Sequence, residues 1–129
     1  MEMRLLLDTS RYTEFARGEA SVVQTIQAAS KIFLPFVVLG ELRAGFACGT
    51  RGRENEAILT RILHRPSVGA LYADGETTRH YAAVYAQLRR QGTPIPTNDL
   101  WIAALAIQHE LVLFSRDAHF EHVAQLARV

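Results

Sequence analysis

An α/β protein, built on a central, mainly parallel sheet with helices on both faces, is predicted by three features of this sequence. Short apolar runs alternate with longer segments of helical periodicity, turn-forming residues separate the two, and parallel neighbours require such helical crossovers. A chain of 129 residues, 49% hydrophobic and 21% charged, is also large enough to bury a core without disulfide or zinc staples. No repeat or low-complexity linker interrupts it, so residues 1–129 read as one unit.

The elements follow in order. Residues 4–7 form a short apolar strand, and residues 21–29 place Val22, Val23, Ile26 and Ala29 at helical spacing. Residues 32–34 read as a second buried strand stopped by Pro35, and residues 37–48 resume helical periodicity. Two further amphipathic helices, 53–64 and 77–91, are separated by a third strand at 67–72 and by the Asp74-Gly75 turn. A loop rich in Pro and Thr over residues 92–98 leads into a helix over 100–108. A fourth strand at 111–114 and a closing helix at 119–126 complete the chain.

Composition excludes several classes. The single cysteine, Cys48, rules out a disulfide scaffold, and the apolar run over residues 32–40 is broken by Pro35, far short of the roughly 18 residues of a membrane span. The first residues do not have the pattern of a signal peptide, so the expected compartment is the cytoplasm. A net charge of +1 argues against nucleic-acid binding by bulk electrostatics. Arg43, Arg51, Arg53, Arg61 and Arg65 nevertheless fall in one stretch, which reads either as a solvated helix face or as a set of phosphate-binding forks.

The acids are more informative. Asp8 directly follows the first strand and Asp117 lies just beyond the fourth, and ligands of open parallel sheets gather beyond the carboxyl ends of the strands. If both strands are central and parallel, the two carboxylates meet in one crevice. Each acid also has a local explanation: Asp8 and Asp117 as helix N-caps, Asp99 as a partner of a helix dipole, Asp74 as a turn residue. Glu41 shares its helical face with Val37, Val38, Ala44 and Gly45, and an acid facing inward there would cost several kcal/mol unless a cation accompanied it. Oxygen ligands from such acids would suit Mg²⁺, with Mn²⁺ as a substitute, and a metal of that kind supports hydrolysis of a phosphodiester.

Four segments carry a resemblance. Leu6-Leu7-Asp8-Thr9-Ser10, Leu39-Gly40-Glu41-Leu42-Arg43-Ala44-Gly45, Ile95-Pro96-Thr97-Asn98-Asp99-Leu100-Trp101-Ile102-Ala103-Ala104 and Leu113-Phe114-Ser115-Arg116-Asp117-Ala118-His119-Phe120 are similar, in order and spacing, to the acidic motifs of PIN-domain nucleases. More narrowly, the chain resembles the VapC toxins of VapBC toxin-antitoxin systems. The resemblance implies a PIN-like α/β/α sandwich and a Mg²⁺-dependent endoribonuclease, with Asp8, Glu41, Asp99 and Asp117 as the catalytic, metal-binding acids. Asp8 and Asp99 stand foremost as direct ligands, and Thr9, Asn98 and Ser115 as supporting residues. Ser115 replaces the threonine of many relatives and keeps its hydroxyl. The resemblance further implies an RNA substrate, a homodimer and a small VapB-like antitoxin. Tyr12, Phe15 and Phe46 are the aromatic anchors expected to hold that partner, and a cationic side chain of the partner could pair with the acids.

Other chemistries are poorly represented. There is no phosphate-binding Gly-rich loop and no nucleophile elbow, and Cys48 reads as a small packed residue. Asp117, His119 and His122 form a second possible metal set, for a zinc or iron hydrolase, although His119 also suits a residue packed at the site entrance. His64, His80 and His109 read as surface residues. A non-catalytic module that binds nucleic acid or a partner, and a housekeeping RNA-processing nuclease, are the remaining alternatives.

Overall fold

The structure, a computed structural model, describes residues 2–129. Four strands, β1 (Arg4–Leu7), β2 (Lys31–Pro35), β3 (Val68–Leu71) and β4 (Val112–Phe114), form one sheet in the order β3-β2-β1-β4. Every pairing is parallel, with Leu6 opposite Phe33 on one side and Leu113 on the other. Leu5, Leu6 and Leu7 are at most 1% exposed, as continuous apolar strands must be when both faces of a parallel sheet are covered.

Six helices flank the sheet: α1 (Thr9–Ala16), α2 (Ala20–Ala28), α3 (Phe36–Cys48), α4 (Gly52–Leu63), α5 (Gly75–Gln91) and α6 (Thr97–Gln108). Helix α3 packs on α4, and α5 on α6. The run Ile102 to Ala106 in α6 is buried throughout, and its small residues Ala103 and Ala104 are fully covered. A helix apolar on all sides belongs in the interior, and this burial fixes the first turn of α6, where Asp99 sits. Among the described residues no helix is long and apolar enough to cross a membrane.

The structure departs from the sequence expectations at several points. Residues 119–126 do not form a helix: a single 3₁₀ turn (Ala118–His122) is followed by irregular chain. Phe120, Val123 and Leu126 are buried as the periodicity implied, yet the last residues run beside β4 instead of coiling. The Leu113 N–H donates to the Ala127 carbonyl at 2.8 Å and the Val129 N–H donates to the Leu113 carbonyl at 3.0 Å. These bonds cover the outer edge of β4, so that of the two strands that precede Asp8 and Asp117 only β1 lies inside the sheet and β4 lies at its margin.

Helix α1, which the sequence suggests only through Asp8 as its cap, spans Thr9–Ala16. Asp74 is more than a turn residue. Its carboxylate accepts the Thr77 N–H at 3.1 Å while the Thr77 hydroxyl accepts the Asp74 N–H at 2.9 Å, a capping box that starts α5. Gln108 of α6 donates to the same carboxylate at 2.9 Å, tying α5 to α6. Gly92, at φ 74°, supplies the left-handed residue that ends α5. Cys48 is exposed at the end of α3, where it was expected to be packed.

Candidate active site

Asp8 is delivered by β1, whose three leucines hold it at the carboxyl edge of the sheet. Its Oδ1 accepts the Arg11 N–H at 2.9 Å, so the carboxylate does cap α1. Its Oδ2 accepts the hydroxyl of Ser115, the first residue after β4. Capping thus occupies one oxygen and the neighbouring strand the other, and Asp8 stays 9% exposed. The local and the functional explanations of this residue coexist.

The Ser115 hydroxyl also accepts the Asp117 N–H at 3.0 Å, which fixes the start of the turn carrying Asp117 and His119. Asp117 caps that 3₁₀ turn by accepting the His119 N–H at 2.9 Å. The His119 ring folds back so that Nδ1 lies 2.9 Å from Asp99 Oδ2 and 3.1 Å from Asp117 Oδ1. One ligand atom from each of Asp99, Asp117 and His119 lies within 4.8 Å of the others. This replaces the expected set of Asp117, His119 and His122, because His122 is not part of the group and Asp99 is. It also makes His119 a contact of the acids themselves, not a bystander at the entrance.

Glu41 corrects the sequence reading in one respect. Its side chain is exposed, not inward, and Ala44 and Gly45, one turn on along the same face of α3, are exposed with it. It is held by the Thr9 hydroxyl, which donates to Glu41 Oε1 at 3.1 Å and so links α1 to α3. Burial pushes the Asp99 carboxyl above the ordinary carboxylate range, and the charges of Asp117 and Glu41 push it further. The hydrogen bond and charge of His119 act in the opposite direction. Asp99, Asp117 and Glu41 therefore share one field, and Ser115 links the Asp8 carboxylate to the backbone N–H of Asp117. Asn98 is exposed in the first turn of α6 beside Asp99 and makes no side-chain hydrogen bond among the described residues.

A second set of residues was not foreseen. Glu14 on α1 is 8% exposed and pairs with both Arg11, at 3.1 Å, and Arg116, the residue between Ser115 and Asp117. The Arg11 guanidinium also lies 4.2 Å from the centre of the Phe114 ring. In the sequence, Arg11-x-x-Glu14 is one i,i+3 pair among several, and only the fold brings Arg116 to it.

A cleft of about 200 Å³ opens between α1, α3 and α4, lined by Tyr12, Leu42, Phe46 and Ile58. An adjoining one includes Phe15, Val23 and Ile62. Tyr12 is 3% exposed and forms the floor, whereas Phe15 and Phe46 are half-buried on the walls. The arginine stretch is partly neutralised: Arg43 forks onto Glu56 at 2.9 and 3.3 Å, and Arg51 binds Glu54 at 2.7 Å. Arg53, Arg61 and Arg65 remain exposed on or just after α4.

The fold and the site together define an α/β protein that gathers Asp99, Asp117 and His119 beside the carboxyl edge of its parallel sheet, a set suited to a divalent cation. The sequence profile of the PIN domain family matches residues 5–126, and the chain belongs to that family. A plasmid stability protein, StbB, from Pseudomonas syringae pv. tomato is 31% identical over 121 residues, covering 88% of this chain and 87% of its own. Ribonuclease VapC1 of Haemophilus influenzae is 29% identical over 129 residues, covering 96% of this chain and 95% of its own. In the crystal structure of the Rickettsia felis VapBC2 complex bound to a promoter DNA fragment, one chain shares the fold with a TM-score of 0.88 at 21% identity. That match covers 98% of each chain.

Proposed function

We propose that this protein is an endoribonuclease dependent on a divalent cation, Mg²⁺ or Mn²⁺, and the toxin of a type II toxin-antitoxin pair acting in the cytoplasm. The observation that carries the reading is the meeting of the Asp99 and Asp117 carboxylates near the carboxyl edge of the sheet, with Ser115 tying Asp8 to the turn that carries Asp117. The name ribonuclease borne by a relative that aligns over nearly the whole chain supports it. The donors are mostly hard carboxylate oxygens on rigid elements, which fits either ion. Asp8 and Asp99 would hold it, with Asp117 and Glu41 completing the negative site.

A cation bound there supplies Lewis acidity toward water and phosphate. The chain's own residues do the rest. Ser115 fixes Asp8 Oδ2, Thr9 fixes Glu41, and the buried α6 holds Asp99 in place, so the carboxylates need no reorganisation when substrate enters. In the hydrolysis, water adds to phosphorus, the bond to the leaving ribose oxygen breaks, and that oxygen takes a proton. Single-stranded or loop RNA fits a recessed acid cluster better than a duplex, whose phosphates are held apart from it by the stacked helix.

The same negative crevice explains control. An antitoxin segment with an Arg or Lys can pair with the acids, while its apolar residues seat in the cleft of Tyr12, Phe15 and Phe46. Residues 1–129 act as a single domain, and the active form is a homodimer. End-mapping of cellular RNA after brief induction tests the reading: wild type yields new, discrete RNA ends and arrests growth, and Asp8→Asn does neither. Intact RNA and normal growth in both would overturn it, and new ends without arrest would favour a housekeeping nuclease.

A further inference from the structure

We propose that the His119 imidazole is itself a ligand of the cation, through Nδ1, alongside Asp99 and Asp117. The inference rests on the divalent-metal reading above and deepens it.

Three observations bring His119 to this role. Its Nδ1 lies 2.9 Å from Asp99 Oδ2 and 3.1 Å from Asp117 Oδ1, placed between the two carboxylates. Its backbone N–H is bound to Asp117 Oδ1 at 2.9 Å and the next residue, Phe120, is 1% exposed, so the ring is aimed by an anchored main chain. Among the described residues, Asp99 and Asp117 have no Lys or Arg partner, whereas Glu14, Glu54, Glu56 and Glu76 all do. A permanent cation such as Arg would fill the gap between the two acids for good. An imidazole instead offers a lone pair on Nδ1 to an ion held between the two acids, its ring proton then lying on Nε2.

The donor set then contains nitrogen as well as oxygen. Mg²⁺ prefers oxygen alone, whereas first-row ions take imidazole with an affinity that rises from Mn²⁺ onward, so His119 should favour Mn²⁺ over Mg²⁺.

The test is the electron spin echo envelope modulation of stoichiometric Mn²⁺ bound to the full chain, with and without ¹⁵N-histidine labelling, in wild type, His119→Ala and His119→Gln. The expected result is a coupling from a directly bound nitrogen that changes on labelling and vanishes in both variants. Calorimetry should then show Mn²⁺ affinity reduced by about tenfold or more, with Mg²⁺ affected less. Bound Mn²⁺ with no nitrogen coupling in wild type, or coupling that survives in the variants, overturns the role of His119 and leaves the nuclease reading standing. Failure of wild type to bind Mn²⁺ overturns both.

Discussion

The Ser115 hydroxyl donates to Asp8 across the junction of β1 and β4 and accepts the Asp117 N–H at 3.0 Å, so one side chain sets the spacing of two acids that are remote in sequence. Ser115→Ala should cost about 1.5 to 3 kcal/mol of stability, the usual worth of a hydrogen bond to a charged group. RNA cleavage should fall roughly 10- to 100-fold, as for groups that orient a metal ligand. Ser115→Thr keeps the hydroxyl and should retain most of both. Urea denaturation and initial cleavage rates for the two variants check this, and an unaffected Ser115→Ala would remove the residue from the site's support.

Asp8 combines a cap with a candidate ligand, and two substitutions separate the roles. Asp8→Asn retains an oxygen for the Arg11 N–H but puts an amide where Oδ2 accepts the Ser115 hydroxyl, so it should lose activity and about 1 to 2 kcal/mol of stability. Asp8→Ala should lose activity too, and be about 0.5 to 2 kcal/mol less stable than Asp8→Asn for the missing cap. Thermal melts without metal distinguish them. Equal destabilisation of both variants would show that the carboxylate charge itself supports the fold.

Asp99 makes stability depend on pH in a stated direction. Its carboxyl is raised in the folded protein, first by burial and then by Asp117 and Glu41, so the folded state binds the proton more tightly than the unfolded chain. Stability from this group is present below the ordinary carboxylate value and is lost as pH rises through the raised one. Metal-free Asp99→Asn should therefore melt higher than wild type at pH 7, with the gap closing toward pH 3.5. Melting curves across that range decide it, and a gap that widens toward acid would contradict the assignment.

Glu14 sits between two arginines with very different surroundings. The Arg11 side chain is 14% exposed and that of Arg116 65%. Glu14→Ala strands the buried Arg11, whose Nε has no partner even now, and should cost roughly 3 kcal/mol. Arg116→Ala removes an exposed partner and should cost under about 1 kcal/mol. Urea midpoints at pH 7 compare the two, and an Arg116 variant as unstable as the Glu14 variant would assign the stability to the loop and not to the buried pair.

Much of this arrangement could be read from the chain. The strands are apolar runs that burial on both faces demands, and the rule that parallel sheets bind ligands at their carboxyl edge picked out Asp8 and Asp117 before any geometry. Four features escaped for physical reasons. Helix α1 buries Tyr12 and Glu14, so half of its inner face is a charged residue and its periodicity is hidden. Residues 119–126 have helical spacing of apolar side chains, but the open edge of β4 takes the backbone of the residues that follow, Ala127 to Val129, into pairing, and the chain leading to them runs irregularly instead of coiling. The small residues around Glu41 suggested a packed face, yet they leave it open, and that opening is what exposes the acid to the crevice. The pairing of Asp99 with His119 depends on how a turn folds back, which no local pattern encodes.

The most direct measurement is cleavage of a fluorescent single-stranded RNA by purified wild type and Asp99→Asn, each with Mg²⁺, with Mn²⁺ and after EDTA. The account predicts that wild type cleaves with either ion, that EDTA abolishes cleavage until the ion is restored, and that Asp99→Asn is inactive throughout though folded. Cleavage by wild type that persists in EDTA, or equal activity in the two proteins, would contradict it.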